Sequence, residues 1–144
     1  MIISLSEGRL NIRFRVNDDQ SVELVNFSPL PDSPDLPLQA ARPEAGFFAP
    51  FKPRQFLAAH VTGECAGGFH AGKHDVGSLS PEWRYVRHTI QANESGQLLT
   101  LSVKAANALA ADYFLQTYRD LNVVRCWSTL TNQSQSDLGL EYVS

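Results

Sequence analysis

Residues 97–104 read Gln-Leu-Leu-Thr-Leu-Ser-Val-Lys, and this stretch decides the fold class. Apolar side chains occupy every second position from Leu99 to Val103, and polar side chains occupy the positions between them. A period of two places the apolar set on one face of an extended chain, which is typical of a strand with one buried face. The same alternation appears in residues 10–16 and predicts a second strand of this type.

Further strand-like segments follow along the chain, with polar turns between them. The predicted strands are residues 10–16, 21–27, 83–90, 97–104, 113–118, 122–131 and 138–143. The predicted turns are residues 17–20, 94–96, 119–120 and 132–137. Short strands separated by turn signals at this spacing favour an all-β fold, an antiparallel β-sandwich.

Two segments leave the local structure open. In residues 21–27, Val22 and Leu24 fall on one side and Val25 and Phe27 on the other, so either a bulge or a strand buried on both faces fits the pattern. Residues 105–111, Ala-Ala-Asn-Ala-Leu-Ala-Ala, have helix propensity but form a short run. A wide connection or a bulge explains them equally well.

Long irregular loops complete the predicted architecture. Residues 28–56 hold seven of the eight prolines, which excludes a central strand because proline removes ladder donors. The same segment carries four phenylalanines that we expect to pack against another surface. They are Phe47, Phe48, Phe51 and Phe56. Residues 57–80 are predicted to form a second irregular, glycine-rich stretch.

Composition limits the class of protein. With 144 residues, the chain is expected to be one domain, residues 1–144, and 43% hydrophobic residues are enough for a core. A net charge of −3 argues against a general nucleic-acid binder. The N-terminus lacks a signal-peptide pattern, and no apolar run approaches the ~20 residues of a membrane helix, so a cytoplasmic location is expected. We expect Cys65 and Cys126 to stay reduced, although the sequence leaves a bridge between them open.

Metal-capable residues gather around a glycine-rich loop. They are His60, Cys65, His70 and His74. His70 and His74 have H-x3-H spacing, but Gly72 between them weakens the helix on which that spacing serves a metal best. A surface loop with titrating histidines is the simpler interpretation. The glycines form no nucleotide-binding motif, so no cofactor is expected.

No pattern indicates catalysis within this chain. Glycoside hydrolysis needs two carboxyls about 5–9.5 Å apart, and the acids here are scattered through predicted loops and strand ends, as solvated surface acids would be. They are Asp75, Glu82, Asp112, Asp120 and Asp137. No G-x-S-x-G motif is present, and Cys126 beside Trp127 is interpreted as a buried structural thiol.

Aromatic residues recur on the predicted strands and have two interpretations. They are Trp83, Tyr85, Tyr113, Phe114, Tyr118, Trp127 and Tyr142. Core packing and cross-strand pairing is the first interpretation. A platform on which a sugar stacks is the second.

Two segments resemble a known enzyme family. Residues 81–90, Pro-Glu-Trp-Arg-Tyr-Val-Arg-His-Thr-Ile, follow the glycine-rich loop and resemble a strand in the N-terminal domain of glycoside hydrolase family 36 α-galactosidases. Residues 123–132, Val-Val-Arg-Cys-Trp-Ser-Thr-Leu-Thr-Asn, are similar to a later strand and turn of the same domain. An early strand pair before a proline-rich connection also fits the family.

The resemblance implies an enzyme of which this chain is an accessory part. Such enzymes have an N-terminal β-supersandwich, a central (β/α)8 barrel with two catalytic aspartates in a retaining mechanism, and a C-terminal β domain. This chain lacks the alternating βα pattern of a barrel, so no catalytic residue is assigned and the chain alone should be inactive. The implied substrates of the parent are terminal α-galactosides such as melibiose and raffinose.

Further expectations follow from the resemblance. Residues 138–144 stop inside a strand-like segment, which suggests an N-terminal fragment of a larger multidomain enzyme. About half a supersandwich would leave an apolar face uncovered, so we expect contact with the downstream barrel and a homo-oligomer. Residues 63–79 are the candidate loop at the substrate mouth, and His74, Asp75 and Trp83 are the side chains expected to hydrogen-bond to a sugar or stack on it. The alternative is a free-standing carbohydrate-binding or protein-interaction β-sandwich.

Overall fold

The computed structural model describes residues 1–29, 34–35, 56–62 and 82–143. Within these ranges the chain is all-β, without a helix, so nothing in them provides a membrane-spanning helix. The strands are β1 (Ile2–Glu7), β2 (Leu10–Val16), β3 (Val22–Ser28), β4 (Ala59–Val61), β5 (Arg84–Ala92), β6 (Gln97–Lys104), β7 (Leu109–Tyr118), β8 (Leu121–Asn132) and β9 (Leu140–Val143). A three-stranded and a four-stranded antiparallel sheet confirm the predicted β-sandwich.

The three-stranded sheet has the order β1-β2-β3. The period of two predicted for β2 is confirmed, because Leu10, Ile12, Phe14 and Val16 are all buried. In the pairing of β2 with β3, Arg13 lies opposite Asn26 and Phe14 lies opposite Leu24, which leaves Val25 as an extra residue. The bulge is therefore the correct alternative for residues 21–27.

The four-stranded sheet has the order β5-β6-β7-β8. The bounds predicted for β6 are confirmed, and Leu99 and Leu101 have no exposed surface. The helix alternative for residues 105–111 is wrong: a turn with positive φ at Ala108 leads into β7. The extended conformation is favoured over a helix because it points Leu109 and Ala111 into the core, where they are 1% and 3% exposed.

A third, two-stranded sheet joins β4 to β9. The expectation that residues 57–80 are irregular is wrong at their beginning, since Ala59–Val61 forms β4. Phe56 confirms the expected packing of a loop phenylalanine, with its ring edge-on to Phe14 at 5.8 Å and to Tyr113 at 5.1 Å. Phe47, Phe48 and Phe51 lie outside the described residues.

The hydrophobic core lies between the two larger sheets. Its largest fully buried side chains come from both sheets and from the segment before β4, and they include Ile3, Leu5, Ile12, Phe14, Leu57, Leu99, Leu101, Leu109 and Leu115. Burial of such side chains contributes about 1.5–3 kcal/mol each before the entropy of ordering the chain is subtracted. The central strands β6 and β7 supply most of the buried positions of the larger sheet, whereas its outer strands β5 and β8 stay exposed.

Candidate interaction surface on the four-stranded sheet

The segments that carry the family resemblance lie on the two outer strands of one sheet. Residues 84–90 belong to β5. Residues 123–132 all belong to β8, which begins two residues earlier. None of the twelve residues of β8 is buried. β8 lies at the end of the sheet order, so among the described strands it has a neighbour on one side alone.

An aromatic pair marks the outer face of this sheet. The register of β7 and β8 places Phe114 directly opposite Trp127. Their rings are stacked, with centroids 5.1 Å apart and an interplanar angle of 9°. Trp127 is 38% exposed, so the pair lies at the surface and not in the core. Offset stacking of this kind stabilises neighbouring strands beyond the area it buries.

Arg125 extends the pair. Its guanidinium carbon lies over the Trp127 ring, 5.2 Å from the centroid, which is within the range of a cation–π interaction. Residues two apart on a strand share a face, so the spacing of Arg125 and Trp127 in the sequence is the signal for this contact, although Arg125 was not among the candidate site residues. Phe114, Trp127 and Arg125 are called the aromatic ladder below.

Polar pairs flank the aromatic ladder and bond to each other. The Ser102 hydroxyl donates to Oδ1 of Asp112 at 2.5 Å. Asn93 donates from Nδ2 to Oε1 of Gln116 at 2.8 Å, and Gln116 donates from Nε2 to the carbonyl oxygen of Thr117 at 2.6 Å. These groups hold the strands together. A ligand on the ladder would therefore depend first on the aromatic rings and on Arg125.

The opposite face of the sheet brings Cys126 close to Tyr113. Burial, together with the hydrogen bond and charge of the neighbouring Cys126 side chain, raises the pKa of Tyr113 well above its usual range. Cys126 is a free, exposed thiol, so its interpretation as a buried structural cysteine is wrong. The reason is its position on β8, which the smaller sheet does not cover.

Of the three predicted sugar-contacting residues, the structure describes one, Trp83. His74 and Asp75 lie outside the described residues, so their role stays a prediction. Trp83 lies in the hydrophobic core, 5% exposed, and its indole N–H donates to the carbonyl oxygen of Leu57 at 2.9 Å. A sugar contact by Trp83 would require the Leu57 segment to move.

Of the four candidate metal ligands, the structure describes the main chain of one, His60. The main chain of His60 pairs with Tyr142 between β4 and β9, whereas Cys65, His70 and His74 lie outside the described residues. In the ranges that the structure does describe, no three His, Cys, Asp or Glu residues are grouped to hold a metal ion.

The candidate acids that the structure describes serve local structure. Glu82 accepts a hydrogen bond from Arg84 at 2.8 Å, and Asp112 accepts one from Ser102. Asp120 adopts a positive φ of 61° in the turn between β7 and β8, where a short polar side chain tolerates that conformation. Asp112 therefore links two neighbouring strands, Glu82 pairs with Arg84 at the start of β5, and Asp120 belongs to a turn.

Comparison of the chain with protein-family models and with curated proteins gives no match. Function is therefore inferred from three features: the exposure of β8, the aromatic ladder, and the resemblance carried by β5 and β8.

Proposed function

We propose that this chain is the N-terminal, non-catalytic β-sandwich domain of an α-galactosidase-like glycoside hydrolase. The proposal is supported by the resemblance of residues 81–90 and 123–132 to that family. The observation that carries it furthest is the placement of those segments on the two outer strands of one sheet, where β8 has no buried residue. A strand whose side chains all remain exposed or half-buried is suited to packing its face against another domain.

In such a parent the domain would support the catalytic barrel and the assembly of subunits. Residues 63–79, with His74 and Asp75, would contribute to the substrate mouth, and the substrate class would be terminal α-galactosides. The proposed location is the cytoplasm. The exposed free thiol of Cys126 suits a reducing compartment, where cysteines remain unpaired.

The coding sequence downstream of the Ser144 codon tests this proposal. We expect it to continue through further β-strands into an alternating βα region that carries two aspartates suitable as nucleophile and acid/base. A stop codon directly after Ser144, or a continuation without a βα-repeating region, would contradict the proposal.

A second candidate function, a carbohydrate-binding β-sandwich, is favoured by the aromatic ladder. An exposed indole supported by Phe114 and Arg125 on an open sheet face presents apolar and cationic groups to a sugar. Titration with melibiose or raffinose, followed by tryptophan fluorescence, separates the two tryptophans because Trp83 is buried. Saturable quenching that Trp127→Phe removes is expected for this function, and an unchanged spectrum would contradict it.

A further inference from the structure

Edge strands differ in how well they are protected from pairing with another chain. Charged residues and bulges protect an edge. In β5 the pairing with β6 shifts at Val86, and Arg84 and Arg87 flank that shift. β8 has neither protection over residues 124–132: its pairing with β7 is regular there, and Arg125 is its one charged residue.

Exposed apolar side chains add to the tendency of β8 to associate. Leu121 is 55% exposed, Val123 is 53% exposed and Trp127 is 38% exposed. Long, exposed, weakly charged edges are templates for a further strand. Among the described strands none lies beyond β8 in the sheet order, so within this part of the chain its outer edge is available to another strand.

We propose that β8 pairs antiparallel with β8 of a second copy of this chain, in the register centred on Cys126. The two four-stranded sheets then become one eight-stranded sheet related by a two-fold axis. The regular part of β8 that is symmetric about Cys126, residues 124–128, pairs in each copy, and an antiparallel pair of that length supplies about five main-chain hydrogen bonds. The inference goes beyond the proposed function and does not depend on it.

The cation–π pairing of Arg125 with Trp127 favours a second copy in this register. Directly opposed residues of antiparallel strands point to the same face. Centring on Cys126 therefore places Arg125 of each copy opposite Trp127 of the other, on the outer face that carries the aromatic ladder. The cation–π contact seen within the chain at 5.2 Å is then available between copies as well. A register centred on Arg125 would instead oppose two like charges, which is unfavourable.

The register also brings the two Cys126 side chains together on the inner face. Opposed positions of paired strands have Cβ atoms about 4.5–5.5 Å apart, close enough for oxidation to join two thiols after a small adjustment. Ser128 lies on the same face of β8, but in this register it opposes Val124 of the other copy. Cysteine at position 128 would therefore be about 13 Å from its counterpart, beyond the reach of a disulfide.

Sedimentation of the whole chain and cross-linking with copper phenanthroline test the proposal together. In a Cys65→Ser background we expect a dimer that oxidation links through Cys126. The matched control, Cys65→Ser with Cys126→Ser and Ser128→Cys, should dimerise without cross-linking. A chain that stays monomeric at high micromolar concentration would overturn the proposal, because β8 would then not pair with β8 of a second copy. Equal cross-linking at position 128 would overturn the register.

A charge at the two-fold axis gives a second test. Cys126→Lys places two lysines opposite each other and should weaken dimerisation at least tenfold. Asn122→Lys, in the irregular part of β8 outside the paired segment, is the matched control and should change it less than threefold. Circular dichroism confirms that both variants fold. Equal weakening by both lysines would count against the register, and unchanged dimerisation of folded Cys126→Lys would overturn the interface.

Discussion

Arg84 joins the two sheets through Asp19. Its Nη1 donates to the carbonyl oxygen of Asp19 at 2.7 Å and to the Oδ2 atom of the same residue at 2.9 Å. Asp19 lies in the turn between β2 and β3, whereas Arg84 begins β5. The main-chain N–H of Tyr85 also donates to the carbonyl oxygen of Gln20 at 2.8 Å. This junction fixes the start of an outer strand to the opposite sheet.

The junction predicts a pH dependence of stability. The hydroxyl and main-chain N–H of Ser21, together with Arg84, lower the pKa of Asp19 from 3.8 to about 2. A lowered pKa means that the folded state favours the carboxylate, so this contribution is present above about pH 4 and is lost as pH falls towards 2. We expect Asp19→Asn to flatten the loss of stability in this window, measured by urea unfolding.

The effect is expected to be small because the Asp19 side chain is 63% exposed. Asp18→Asn in the same turn is the matched control and should keep the parent pH profile. A profile for Asp19→Asn that matches the parent between pH 4 and 2 would show that the carboxylate has the same pKa in the folded and unfolded chain.

Gly96 is predicted to be sensitive to substitution. Its φ is +156°, and a Cβ at this position would meet the carbonyl oxygen of Thr117. Gly96→Ala should therefore lower the free energy of unfolding by about 2–3 kcal/mol. Gly8→Ala, with φ of +58° and its nearest atom at 4.0 Å, is the matched control and should cost only about 1 kcal/mol. Equal losses would show that the approach to Thr117 is not what limits position 96.

Trp83 and Trp127 are predicted to differ in their contribution to stability. Trp83→Phe leaves the buried carbonyl oxygen of Leu57 without its donor and should cost roughly 2 kcal/mol. Trp127→Phe keeps a surface aromatic ring and should cost less than about 1 kcal/mol. Urea unfolding of both variants measures the difference, and a larger loss for Trp127→Phe would contradict the assignment of Trp83 to the core.

The stacked pair of the aromatic ladder is predicted to be coupled. Phe114→Ala, Trp127→Ala and the double variant form a thermodynamic cycle, and we expect a coupling of about 0.5–1 kcal/mol. Thr129→Ala in place of Trp127→Ala gives a control on the same face of β8. Additive losses for Phe114 and Trp127 would mean that their stacking contributes nothing measurable.

Period-two patterns predicted most strands because their buried faces are local in sequence. β6 was predicted with the same bounds, and β2 showed the expected alternation of burial. The alanine-rich residues 105–111 left a helix and a wide connection or bulge equally open, and the extended start of β7 follows from the need to bury Leu109, against which helix propensity is weak. The pairing of β4 with β9 connects residues about 80 apart, which no local pattern reveals.

The aromatic ladder depends on a register that the sequence does not show. The predicted turn at residues 119–120 agrees with the pairing of Tyr118 and Leu121. If the ladder continued regularly from that pair, Phe114 would lie opposite Arg125. The shift between Thr117 and Tyr118 moves the partner of Phe114 two residues along, to Trp127. Both aromatic residues were recognised as candidates, but their contact follows from this irregularity in the ladder of β7 and β8.

Hydrolysis of an aryl α-galactoside by the complete product of the reading frame tests the proposed function most directly. We expect p-nitrophenol release with retention of anomeric configuration, because the family implied by β5 and β8 uses a covalent glycosyl intermediate with closely spaced carboxyls. The chain of 144 residues alone should show no release. A complete product that folds and releases no p-nitrophenol from α-galactosides would contradict the proposed function.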